Sequence, residues 1–135
     1  MSPIELEQLM KDCAEDAVAA AQEEFNLTLD YSAESVSLVD DILLSFLDKY
    51  HDSALEDEAV FTICNIFGAY LGETFQRFVG GTWLYDQSNP SAPYVLLVVG
   101  ENSYAFAGIC YERLVNDSQV SVKAYFDQSV SNHRQ

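Results

Sequence analysis

The side chains able to do chemistry are unevenly supplied in this 135-residue chain, which has two histidines, three cysteines and 22 Asp plus Glu against six Lys plus Arg. Nucleophilic catalysis needs a base held within reach of a serine or cysteine. His51 falls in an inter-helix turn beside Asp52 and His133 in the C-terminal tail, so neither stands at a fixed helical spacing from a nucleophile. A serine or cysteine triad is therefore unsupported, and His51 reads more simply as a cation near a helix end. Cys13, Cys64 and Cys110 are odd in number, far apart and outside any C-x-x-C spacing, which argues against a disulfide framework or a zinc site. On apolar positions they should behave as small, inert hydrophobes.

Carboxylates remain the abundant resource, and Asp40–Asp41, Asp48 with Asp52, and Glu56–Asp57–Glu58 are the sets that could act as acid and base or hold a divalent cation. Adjacent helical residues diverge by about 100°, so Asp40 and Asp41 do not readily chelate together. No set has the alternating oxygen ligands and central glycine of a calcium loop. Helix-dipole complementarity already accounts for the acids from Glu56 to Glu58. Neither a metal nor a cofactor is expected. Gly80–Gly81 and Gly100 lack the spacing and the lysine of a phosphate cradle and read as turn residues.

The charge itself is the outlier. The formal sum is −16, and residues 1–58 carry 16 acids against 2 bases while residues 59–135 carry 6 against 4. Such a chain is a poor general binder of nucleic acid or anionic membrane, because phosphate contacts need bases. Acids on the outer faces of packed helices would instead steer a basic protein over about 8 Å, one Debye length at physiological salt. Negative charge as a simple solubility device is the competing reading.

The elements that must carry these groups follow from periodicity. Ser2-Pro3-Ile4-Glu5 combines a cap, a first-turn proline and a glutamate at the third helical position, so helix 1 starts there. Leu6, Met10, Cys13, Ala17, Ala21 and Phe25 form its apolar stripe. Ser32 caps a second helix, running to about Tyr50 with Val36, Val39, Ile42, Leu43, Phe46 and Leu47 on one face. Ser53-Ala54-Leu55-Glu56 is a second capping box and starts helix 3 near Ala54. From Ala59 to Val79 that helix is apolar nearly all round, which makes it central. Gly68 and Gly72 cost it about 1 kcal/mol each relative to alanine, so another backbone should approach closely there. Glu73 and Arg77 stand at ion-pair spacing.

Gly80–Gly81 ends the helix and the period changes to two. Thr82–Tyr85, Tyr94–Val99 and Tyr104–Phe106 read as strands of a small antiparallel sheet, the second buried on both faces. Trp83, Tyr85, Tyr94 and Tyr104 alternate through that sheet, as cross-strand packing or as a contact surface. Residues 109–115 and 119–130 fit short helices separated by Asn116–Ser118, and residues 131–135 should fray. The expected architecture is α+β, three N-terminal helices packed with the sheet and short C-terminal helices, in a single domain over 1–135. Segments such as Ala59–Leu71 fall short of the ~20 residues of a membrane span, and the acidic N-terminus is unlike a secretory signal, so a cytoplasmic location is expected.

Phe67-Gly68-Ala69-Tyr70-Leu71-Gly72-Glu73, then Gly80-Gly81-Thr82-Trp83 and a hydrophobic strand, resembles small bacterial domains with a G-x-Y-x-G-E helix followed by G-G-x-W. Some of these look like immunity proteins of interbacterial toxin systems. The resemblance covers residues 60–115 and implies a partner-binding protein rather than an enzyme. Combined with the charge, it gives an acidic module that occludes a cognate basic toxin through Asp40, Asp41, Asp48, Asp52, Glu56 and Asp57. Two other classes stay open: a metal-dependent hydrolase using Asp48, Asp52 and Glu56, and an acidic mimic of nucleic acid that binds a basic protein. Self-association through a sheet edge and its aromatics is a further option.

Overall fold

The computed structural model describes residues 2–51, 56–88, 94–116 and 119–133, without the side chains of residues 49–51, 94 and 116. Helix α1 spans Pro3–Phe25, with Ser2 as its N-cap accepting from the Glu5 amide at 3.1 Å. It ends at Asn26 in the left-handed conformation, where the Leu27 amide reaches back to the Ala21 carbonyl. This closure satisfies carbonyls that a helix end leaves open. Helix α2 spans Ser35–His51, and the Ser32 hydroxyl accepts from the Ser35 amide at 3.2 Å. Helix α3 spans Asp57–Phe78 with Glu56 as an N-cap that makes no side-chain cap bond. The Ser53 capping box lies outside the described residues.

Strands β1 (Thr82–Asp86), β2 (Tyr94–Val99) and β3 (Asn102–Tyr104) form an antiparallel sheet in the order β1-β2-β3. Trp83, Leu97 and Tyr104 stand in register across it, and all three are buried. The other β2 residues with described side chains are only half-buried, so the strand is not enclosed on both faces. Strand β3 begins two residues earlier than the sequence pattern suggests. Gly100, at φ 60°, and Glu101 make a two-residue hairpin loop, so Asn102 pairs at once with Val99.

Helix α4 (Phe106–Tyr111) runs into a π-helical turn at Glu112–Asn116, and α5 spans Val122–Ser131. One buried cluster extends from Leu6 of α1 to Val130 of α5 through Phe67, Tyr70, Phe75 and Phe126. The class is α+β as expected. Helix α1 lies along α3, while α2 packs against the π-helical turn and α5. The two acidic helices therefore do not lie side by side over α3. An edge-on contact of Phe25 and Phe46, ring centroids 5.5 Å apart, joins them near their ends.

Candidate protein-binding surface

The five described residues among the six acids singled out by sequence separate in the structure. Asp40 is buried at 8% exposure, and its carboxylate is turned inward. It accepts from the Val122 amide at 2.7 Å, the Lys123 amide at 2.9 Å and the Ser121 hydroxyl at 3.2 Å. The Arg113 Nε stands 3.5 Å away. Asp40 thus supplies an anion to the amino end of α5, where unpaired amides and the helix dipole favour one. The Ser121 hydroxyl accepts from Ala124, completing the cap. This overturns the assignment of Asp40 to an outward face, and the physical cause is the donor set offered by α5.

Asp41, its neighbour, is exposed, as are Asp48, Glu56 and Asp57. Asp52 lies outside the described residues. On α2 the exposed positions Ser37, Asp41, Leu44, Ser45 and Asp48 fall at three- and four-residue steps and make one stripe. Leu44 is 38% exposed between the two aspartates. Every described acid from Glu5 to Glu58 other than Asp40 is exposed. Among the described residues, no group of three or more His, Cys, Asp or Glu side chains is arranged to hold a metal ion. No described helix is long and apolar enough to cross a membrane.

Phe67–Gly72 and Trp83 of the glycine- and aromatic-rich motif are buried. A Cβ at Gly68 would stand 2.6 Å from the Ala107 Cα, and one at Gly72 would stand 2.1 Å from the Trp83 ring. The close approach expected from sequence is therefore a helix backbone at Gly68 but an indole at Gly72. Glu73 accepts from the Trp83 indole nitrogen at 2.8 Å. Arg77 stacks 3.8 Å over the Tyr31 ring, so the expected Glu73–Arg77 pair gives way to two separate contacts. A buried indole N–H needs an acceptor, and Glu73 supplies it. The Tyr70 hydroxyl bonds the Ser35 hydroxyl and accepts from the Tyr31 amide at 2.8 Å, fastening the α1–α2 loop, in which Tyr31 has φ 63°, to α3. Burial pushes the Tyr70 phenol up, against these hydrogen bonds.

The cysteines follow their burial. Cys64 is pushed up to about 12 by desolvation, and Cys110 is raised well above its ordinary value by desolvation and then by Cys64 and Asp40 nearby. Cys13, half-buried, is raised by desolvation and by Asp16 and Asp12. His133 is packed rather than pendant: its Nε2 lies 2.7 Å from the Tyr104 hydroxyl and its ring meets Phe75 edge-on. It borders a cleft of about 360 Å³ lined by Phe78, Val79, Val99 and Val130. Sequence reading missed this cleft, since its walls come from helix and strand ends far apart along the chain.

It also missed an exposed aromatic pair. Phe61 on α3 is 60% exposed and Tyr111 on α4 is 37% exposed, with ring centroids 6.3 Å apart and planes inclined by 19°. The helical run around Phe61 is apolar on nearly every side, so periodicity does not single out the position left open. No family model, no curated protein and no solved structure matches the chain.

Proposed function

We propose that the chain is an acidic protein-binding module that captures a basic partner through the outward faces of α2 and the start of α3. The observation that carries this reading is the α2 stripe, in which Leu44 stands exposed between Asp41 and Asp48. Charge of one sign raises the encounter rate with an oppositely charged protein, and an apolar anchor inside the charged field holds the complex once formed. The most concrete form of the proposal is an immunity protein that occludes a cognate bacterial toxin. The G-x-Y-x-G-E and G-G-x-W resemblance and the acidic surplus support that form.

The test is to isolate the partner with the tagged chain from its source cells and follow association by stopped flow. Asp41→Lys with Asp48→Lys should lower the association rate by about tenfold at low salt and flatten its salt dependence. Leu44→Ala should act on dissociation instead. Association rates and salt dependence unchanged by the double reversal would overturn the reading.

A further inference from the structure

We infer that the Phe61–Tyr111 pair is the seat for an arginine side chain presented by the basic partner, an inference that rests on the acidic-capture reading above. Phe61 precedes Gly68 by two helical turns on α3, and Tyr111 follows Ala107 by one turn on α4. The Gly68–Ala107 approach brings the two helices together below the rings, which meet where that seam opens to solvent. Asp57 and Glu58, four and three residues before Phe61, share its side of α3 and are exposed. Two stacked rings with carboxylates alongside form a site that attracts a cation and offers it a π face.

Chemistry decides between occupants. A guanidinium is planar and weakly hydrated, so it lies on an aromatic ring while its edge donates to a carboxylate; an ammonium is a compact, strongly hydrated point charge and does this less well. An aliphatic anchor would cover the rings but dehydrate the neighbouring acids without supplying a counter-charge. A second copy of this chain would bring the same acidic rim against itself, at a net charge of −16 per chain.

The experiment titrates the isotope-labelled 135-residue chain with three blocked Gly-Ser peptides carrying three arginines, three lysines or three citrullines. Aromatic resonances of Phe61 and Tyr111 are followed at low salt, with Phe61→Ala and Tyr111→Ala as variants. Because Phe61 is largely exposed, its variant should keep the native melting behaviour, which is checked first. The arginine peptide should shift both rings, bind more tightly than the lysine peptide and lose about tenfold in affinity in either variant. The citrulline peptide should not bind. If arginine and lysine peptides bind equally and the variants change nothing, the arginine seat is wrong while acidic capture stands. If neither basic peptide binds, acidic capture fails with it. Ring shifts that depend on protein concentration without peptide would assign the pair to self-association and overturn the inference.

Discussion

The middle of α3 and its amino-terminal end use the same kinds of residue to opposite effect. In the middle, Glu73 accepts from an indole, Tyr70 is tied to Ser35 and Tyr31, and Phe67 and Phe75 are sealed in the core. At the amino-terminal end, Asp57, Glu58 and Phe61 face solvent. The same division separates two consecutive residues of α2, Asp40 bound to the start of α5 and Asp41 outside. What sorts a carboxylate inward or outward is whether a neighbouring element offers it unpaired donors, not how many acids surround it.

The largest expected effect tests that division on α2. Asp40→Ala leaves the Val122 and Lys123 amides and Arg113 without their shared anion, and should lower unfolding free energy by about 3–5 kcal/mol in a urea titration. Asp40→Asn keeps one acceptor but turns an amide toward donors, and should cost about 2 kcal/mol. Asp41→Ala should stay within about 0.5 kcal/mol, as exposed positions do. Equal effects at 40 and 41 would erase the distinction.

Next come the glycines of α3. Gly68→Ala pushes a methyl against the Ala107 backbone, which cannot rotate away, and should cost about 1–3 kcal/mol. Gly72→Ala meets the Trp83 ring and should cost a similar amount. Trp83→Leu makes room for it, so the Gly72→Ala/Trp83→Leu double variant should be less destabilised than the two single losses added together. Strict additivity would mean that the indole does not occupy the space Gly72 leaves. Gly68 carries a further consequence, because loosening the α3–α4 seam should also broaden the ring resonances of Phe61 and Tyr111.

The order of elements was largely legible in the sequence, and the reasons are local. Ser2 and Ser32 are caps whose effect needs only the next three residues, and Gly80–Gly81, at φ 102° and 114°, stops α3 where the pattern changes period. Periodicity also separated the buried face of α2 from its exposed stripe. It did not reveal which helix covers which: α1 lies along α3, and α2 lies on the π-helical turn and α5. The fate of Asp40 was illegible for the same reason, since its partners follow it by more than 70 residues. Phe61 and Tyr111 were hidden by their own type, because an aromatic residue in an apolar run carries no mark of being left at the surface. His133 was read as tail, and only the fold brings Tyr104 within its reach.

The smallest effect locates the boundary between the two ends of α3. Cys64 lies one turn beyond Phe61 and one turn before Gly68, and it is buried where Phe61 is exposed. Desolvation pushes its thiol up to about 12, so the thiolate is scarce at pH 8 and becomes more common as pH rises. A disulfide reagent at pH 8 should therefore label half-buried Cys13 first, slowed by Asp12 and Asp16, and reach Cys64 and Cys110 only through opening of the core. Phe61→Ala should leave the Cys64 rate nearly unchanged, because the ring it removes already faces solvent and the seal lies deeper, at the Gly68–Ala107 seam. Gly68→Ala should accelerate Cys64 and Cys110 together. Rapid labelling of Cys64 in the native chain, or acceleration by Phe61→Ala alone, would place the boundary further along α3 and make the aromatic pair part of the core's lid rather than a surface of its own.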